Sequence, residues 1–218
     1  EMSRRCFFAQ GIETGTEFVD LSPRESHHLE NVLRLKPGEA VEIRDGLGNA
    51  WAGEVARVGK GCVSVRVVGR LDLSCTEPAL EVTLALGLAR TDTMDQVLRQ
   101  ATEMGVSRVA VFRAARSQYG LAGRGAEKRI ERWSKITREA VCQCGRTRIP
   151  RISVFEDLDH FLSPSVLLYE DKGETALKLL ASEGEKEANL ALLRKSHAHC
   201  KNVIAAVGPE GGWDGLEI

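Results

Sequence analysis

The residues Gly208-Pro209-Glu210-Gly211-Gly212 follow directly on the apolar run NVIAAV at 202–207. A β-rich run broken at once by glycine and proline has the form of a strand delivering a backbone cradle to a ligand. Glycines let a ligand approach the main chain closely and leave N–H and C=O groups to recognise it, which suits an adenine edge or the carboxylate of a zwitterion. The pentapeptide lacks the Gly-Lys-Ser/Thr ending of a phosphate-binding loop, and no Gly-x-Gly-x-x-Gly stands between a strand and a helix. Nucleoside triphosphates and dinucleotides are therefore poor fits. A plain strand-to-helix turn is the competing reading of the same five residues.

The second concentration of chemistry is cationic. Between Arg113 and Arg151 eleven basic side chains stand against three acidic ones, and from Ile152 to Glu187 three basic against nine acidic. A formal net charge of -1 over 218 residues thus conceals a basic region. Lys128, Arg129, Arg132, Lys135 and Arg138 lie off the apolar stripe of a helix-period segment, which is preceded by ARSQYG and followed by CGRTRIPR. A charged helix face alone reads as solvated surface. Flanking arginine forks match phosphates and base edges, so polyanion binding, RNA in particular, is the favoured reading.

Two kinds of framework must position these groups. Residues 4 to about 72 read as an all-β module, with short β-rich runs CFFA, EFVDL, AVEIRD, AWAGEVARV and CVSVRVVGRL between glycine-containing turns. One short helix interrupts them at SPRESHHLENVLRL, with Ser22 as cap, Pro23 at the first helical position and Glu25 placed as in a capping box. A compact barrel with one helix is the expected closure. After the linker DLSCTEPA the period changes from two to 3.6 and strands alternate with helices. LEVTLALGLA is apolar enough for burial on both faces. Met94, Val97, Leu98, Ala101 and Met104 form a helical stripe closed by Gly105, and VSRVAVFR is the next strand. Ile130, Trp133, Ile136, Ala140 and Val141 form a second stripe closed by Gly145, followed by strands RISVF and SVLLYE, a polar helix from Glu174, and strand NVIAAVG. Such alternation predicts a mostly parallel sheet covered by helices, with the ligand outside the carboxyl ends of the strands.

The length allows two domains with cores of their own, and no apolar run is long enough to span a bilayer. EMSRRCFF has no following apolar region of the secretory kind, so a cytoplasmic protein without membrane partners is expected. The six cysteines are scattered, and Cys142 and Cys144 have C-x-C rather than C-x-x-C spacing, which reads as reduced structural thiols. His197 and His199 lack a second ligand cluster at zinc-like spacing, so no metal is expected. Asp214-Gly215-Leu216-Glu217 has capping-box spacing with less than one further turn after it, and the helix it starts is expected to continue beyond Ile218.

Several stretches resemble one family, the RsmE-type 16S ribosomal RNA uridine-N3 methyltransferases of the knotted SPOUT class. They are RRCFF near the start, HHLENVLRLKPGEAVEIRDGLG, TDTMDQVLRQATEMGVSRV, the Ala-Arg-Ser at 115–117, RWSKITREAVCQCGRTRIPRI and VGPEGGWDGLE. They run in family order over nearly the whole chain, and CQCGRTRIP with GPEGG at this spacing is highly specific. The resemblance implies an α/β protein in which a PUA-like RNA-binding β-barrel, residues 1–72, precedes a SPOUT methyltransferase domain, residues 79–218, whose trefoil knot binds S-adenosylmethionine. It implies a homodimer acting on 16S ribosomal RNA or the small ribosomal subunit. The family pattern also continues past Ile218 through a segment that completes the knot and much of the cofactor pocket.

By the same resemblance Gly208, Pro209, Glu210, Gly211 and Gly212 form the cofactor loop, with Leu168, Tyr169 and Glu170 at the neighbouring strand end. Arg4, Arg5, Arg34, Arg116, Ser117, Arg146 and Arg148 are the RNA contacts, although Arg34 can equally pack its stem on the barrel. Methylating N3 of uridine requires loss of a weakly acidic proton, by a general base or by cationic donors that stabilise the uridine anion, and Arg146 and Glu210 are the catalytic candidates. Two rivals stay open: an RNA-binding module of the same architecture without catalysis, and a SPOUT-class methyltransferase with another target such as transfer RNA.

Overall fold

The first seventy residues alternate apolar and polar side chains over short runs, and each run forms a strand. The computed structural model describes residues 5–59, 61–118, 120, 124–166, 176–186 and 190–217. Strands β1 (Cys6–Phe8), β2 (Phe18–Asp20), β3 (Ala40–Arg44), β4 (Ala50–Gly59) and β5 (Cys62–Leu71) form one sheet in the order β1-β3-β4-β5-β2. β1 and β3 are parallel and the other pairs antiparallel. The β4–β5 register shifts at Ala52/Gly53 and again at Val55/Arg57, and such bulges bend and twist a ribbon. Phe7, Val19, Leu29, Val41, Ile43, Val55, Val63 and Val65 fill its core.

The helix of this unit is shorter than its pattern suggests. α1 spans Pro23–His27, and a single π-type turn, His28–Val32, continues it. Ser22 caps as expected, accepting from the Glu25 N–H, but the Glu25 carboxylate accepts from the Phe8 N–H. It therefore satisfies a backbone donor of β1. Arg34, just beyond the π turn, holds φ at 55°, a left-handed conformation that costs a non-glycine residue about 1–2 kcal/mol.

Five further strands, β6 (Glu81–Gly87), β7 (Arg108–Arg113), β8 (Arg151–Asp157), β9 (Leu177–Ala181) and β10 (Asn202–Val207), form a wholly parallel sheet in the order β8-β7-β6-β10-β9. Both faces are covered, as a parallel sheet requires. On one face Val109 and Val111 pack with Met94 and Leu98 of α2 (Thr91–Glu103) and with Trp133 and Ile136 of α3 (Arg124–Cys144). Their alternates Ala110 and Phe112 face the other way, against Leu158 and Phe161 of α4 (Leu158–Leu162) and Trp213. Helix α5 is Leu190–Ser196.

Three sequence expectations change. Met104, counted in the α2 stripe, is the C-cap residue and 84% exposed. The expected strand SVLLYE begins as a helical turn over 164–166, and its remainder lies outside the described residues. The polar helix expected from Glu174 contains instead strand β9, whose LKLLA pairs with β10 from Val203 to Val207. Contacts divide the chain into two compact units, Glu1–Glu77 with Arg138–Ile149, and Pro78–Thr137 with Pro150–Ile218. The return of residues 138–149 to the N-terminal unit is a matter of long-range packing, which sequence period does not report. No described helix is long and apolar enough to cross a membrane.

Candidate active site

In the second unit, strands β9 and β10 deliver their carboxyl ends to a cavity of about 650 Å³. Gly208 to Gly212 line it together with Val207, Trp213, Arg116 and the turn Ser182-Glu183-Gly184 after β9. The position is where open parallel sheets bind ligands. The glycines are there for space. A Cβ on Gly208 would stand 3.2 Å from the Trp213 ring, and one on Gly211 would stand 3.1 Å from the Arg116 Cβ and 3.3 Å from its carbonyl oxygen. Gly212 turns the chain at φ 69°. Trp213 is fixed from two sides, donating its indole N–H to the Ala181 carbonyl at 2.7 Å and stacking on Phe112 at 6.1 Å. The wall is therefore preformed, with main-chain groups left to meet a ligand.

The charged residues around this cavity are tied to its framework. The Glu210 carboxylate accepts from the Arg90 N–H at 3.0 Å, at the start of α2, and from the Thr93 hydroxyl at 3.1 Å. The Arg90 N–H first, then the Glu210 N–H and the Thr93 hydroxyl, hold its carboxyl below the usual carboxylate range. A carboxylate stabilised this way is a weak base. Arg116 is exposed, donates to the Gly211 carbonyl at 3.3 Å and lies 3.6 Å from Asp214. The Ser117 hydroxyl accepts from the Ala114 N–H, which closes its own turn. Glu217 completes the capping box by accepting from the Asp214 N–H at 2.9 Å and also from the Ala115 N–H at 2.8 Å. The turn after the glycine loop is thereby joined to the Ala115-Arg116-Ser117 loop.

The remaining basic candidates lie in the first unit. Arg146, which by the resemblance meets RNA and assists catalysis, is held inside this unit. It is 4% exposed, and its Nε and Nη2 donate to Glu77 Oε2 at 3.1 and 2.9 Å. The other Glu77 oxygen accepts from the Thr147 N–H at 2.6 Å and the Arg148 N–H at 2.9 Å. From the opposite side the fully buried Arg44 donates to the Val141 carbonyl at 2.9 Å and to the Arg146 carbonyl. This double clamp presents Arg148, which is exposed, lies across Gly48 and has no side-chain acceptor among the described residues. Arg5 pairs with Glu39 at 2.7 Å, and Glu39 also accepts from the Lys36 N–H. Arg34 is exposed with no partner among the described residues.

Of the sequence candidates, Gly208, Pro209, Glu210, Gly211, Gly212, Arg116 and Ser117 thus come together in one unit, and Arg146 and Arg148 share one turn in the other. Arg4, Leu168, Tyr169 and Glu170 lie outside the described residues. Sequence reasoning missed Glu77, Arg44 and Thr93. Glu77 sits in what reads as a linker, and nothing local marks it. A concavity of about 710 Å³ on the first unit, lined by Trp51 and Arg70 among others, is larger but has neither strand ends nor a glycine cradle converging on it.

The model of an RNA methyltransferase domain matches residues 76–218, and that of an RNA methyltransferase PUA domain matches residues 21–68. Ribosomal RNA small subunit methyltransferase E of Bacillus subtilis is 29% identical over 209 residues, 96% of this chain and 80% of that protein. The protein of the same name from Mycobacterium bovis is 28% identical over 188 residues, 86% of this chain and 69% of its own. Among solved structures, ribosomal RNA small subunit methyltransferase E from Neisseria gonorrhoeae, bound to S-adenosyl methionine, superposes with a TM-score of 0.80 at 27% identity, over 98% of this chain and 83% of that one. A methyltransferase from Legionella pneumophila with the same cofactor bound gives 0.82 at 26% identity, with the same coverage.

Proposed function

The chain belongs to the RNA methyltransferase family, and from that premise we propose that it transfers a methyl group from S-adenosylmethionine to N3 of a specific uridine in 16S ribosomal RNA. The observation that carries the reading is the cavity at the ends of β9 and β10, floored by Gly208–Gly212 and walled by Trp213. Its residues fit the cofactor: a glycine-rich main chain packed closely on Trp213 and Arg116 lines the cavity, and an aromatic wall is already in place. Bound there, S-adenosylmethionine supplies a methyl group on a positively charged sulfur.

The chain's own residues supply position and charge. Gly208, Pro209, Gly211 and Gly212 hold the cofactor through the backbone, with Leu168, Tyr169 and Glu170 proposed at the neighbouring edge. Glu210 locks the loop to the start of α2, and a carboxylate so engaged leaves the N3 proton to cationic stabilisation of the uridine anion and to water. Arg116, on the rim beside Gly211, is suited to that charge or to an adjacent phosphate, with Ser117 shaping its turn. Arg148, Arg34 and Arg5, with Arg4, meet the RNA backbone. Arg146 acts through Glu77, holding the turn from which Arg148 extends.

The reading extends to a SPOUT-class trefoil knot, a PUA-like barrel in residues 1–72 before a catalytic domain in 79–218, a homodimer and a cytoplasmic site of action. The deciding experiment is methyl transfer by the full-length gene product from labelled S-adenosylmethionine to undermodified small subunits and, separately, to naked 16S RNA. Label in N3-methyluridine is expected. RNA binding without label would make GPEGG a structural turn in a binding module.

A further inference from the structure

Two of the six cysteines, 136 residues apart in sequence, meet inside the first unit. Cys6, on β1, is buried, and Cys142, in the last turn of α3, is half-buried. The Cys142 thiol donates to the Cys6 sulfur at 3.0 Å and lies 3.7 Å from the Cys6 carbonyl oxygen. Both are thiols in this structure, as are the exposed Cys62, Cys75 and Cys144. We propose that Cys6 and Cys142 are an oxidation site, at which a small disulfide such as glutathione disulfide closes an intramolecular disulfide bond.

The geometry asks little of the fold. A disulfide needs the sulfurs about 2.05 Å apart, so they must approach by about 1 Å. The half-buried partner offers the entry point. The Cys142 thiolate attacks one sulfur of glutathione disulfide, the glutathione S–S bond breaks, and one glutathione leaves as a thiolate that takes up a proton. Cys6 then gives up its proton to water and attacks the Cys142 sulfur of the mixed disulfide, expelling the second glutathione. Two protein thiols are oxidised to one disulfide while one glutathione disulfide is reduced to two glutathione molecules.

The environment favours keeping the bond once it is made. The hydrogen bond with Cys142, and then burial, push the Cys6 thiol up from its usual range, with Arg44 opposing them. Dithiols become strong oxidants when their reduced form holds a stabilised thiolate, and Cys6 holds none. The bond would join β1 to the helix end three residues before Gly145, on the segment that Arg44 and Glu77 already clamp.

The test is made on the full-length protein, incubated with glutathione disulfide or with dithiothreitol, then unfolded, alkylated and mapped by mass spectrometry without reduction. A peptide pair joined through Cys6 and Cys142 is expected. Closing so long a loop should also raise the melting temperature by on the order of 10 °C, reversibly with dithiothreitol. Amide exchange over residues 145–148 should slow in the oxidised form. Full alkylation of Cys6 and Cys142 after oxidation would overturn the proposal, as would glutathione retained on Cys142 or bridges confined to Cys62, Cys75 and Cys144. Cys142→Ser should abolish the rise in melting temperature, and a rise that persists would place its source elsewhere. If that variant does not fold, the wild-type peptide map decides alone.

Discussion

Replacing Glu77 by glutamine removes one negative charge from beneath the arginine turn and little volume. The carboxylate takes two hydrogen bonds from the side chain of Arg146, and its other oxygen serves the N–H groups of Thr147 and Arg148. The side chains of Arg146 and Glu77 are 4% and 12% exposed, so water screens the pair only weakly. Breaking a buried pair from one side costs about 3–5 kcal/mol, because the remaining charge stays buried. Glutamine keeps one oxygen for the backbone donors, which places the expected loss near the lower end, about 3 kcal/mol. Its pH dependence identifies the cause. Burial pushes the Glu77 carboxyl up, but the Arg146 hydrogen bonds and the Arg148 and Thr147 N–H groups outweigh it and hold the group below its ordinary 4.5. A carboxyl depressed in the folded state contributes stability above its unfolded-state value and loses it as pH falls through the folded-state value. Urea unfolding of wild type and Glu77→Gln, followed by circular dichroism and tryptophan fluorescence, should therefore give a gap that is flat from pH 8 to about 5 and narrows below 4.5. A gap under about 1 kcal/mol at pH 7, the value typical of an exposed pair, would refute the clamp. So would a gap that persists unchanged to pH 3.

Three further outcomes follow from the same geometry. Gly211→Val drives a branched side chain into the Arg116 backbone, and overpacking of about 1–3 kcal/mol should weaken S-adenosylmethionine binding by roughly 5- to 140-fold in calorimetry; unchanged affinity would move the pocket. Glu210→Gln keeps an acceptor for the Arg90 N–H, so kcat should fall less than about tenfold with its pH profile intact, whereas loss of a general base costs about 10²–10⁴. Arg148→Ala should make the slope of log K for RNA against log salt shallower by about 0.7–0.9 while cofactor affinity stays the same, and an unaltered slope would take Arg148 off the RNA.

The parts of the fold that could be read from sequence are those with a strong period of their own. β6, α2, β7 and α3 carry long apolar stripes, and their order predicts the parallel sheet. LKLLA is too short to distinguish the helical period from the strand period, and its pairing with β10 makes it β9. The break of the chain at the end of β10 was legible because Gly-Pro-Glu-Gly-Gly must end a strand, although the five residues alone fit a plain turn as well as a ligand cradle. Glu77 was not, because a carboxylate in a polar linker carries no local sign of the turn some seventy residues away that it holds together. Glu25 misled in a different way: capping-box spacing is local, and the Phe8 N–H that takes its carboxylate comes from another strand.

Charge shows the same limit and changes what the interface can be. Eleven basic side chains between Arg113 and Arg151 suggest a broad cationic surface. Arg132, however, is held bidentate by Asp95, Arg146 by Glu77, and Arg116 in part by Asp214. Arg129 donates to the Gly120 carbonyl at 2.7 Å, and the Arg138 guanidinium lies 5.4 Å from the centre of the Phe8 ring. A cation already neutralised by a nearby carboxylate releases few counterions when a phosphate arrives, so the count in the sequence overstates the number of phosphate contacts. Two of the exposed arginines stand on supports that are themselves fixed. Arg148 stands on a turn clamped by Arg44 and Glu77, and Arg116 on a loop joined to the glycine cradle through Glu217 and the Gly211 carbonyl. The buried Arg44 and Arg146 thus set where Arg148 stands, and fixed placement of exposed cations is what a shape-reading RNA enzyme needs.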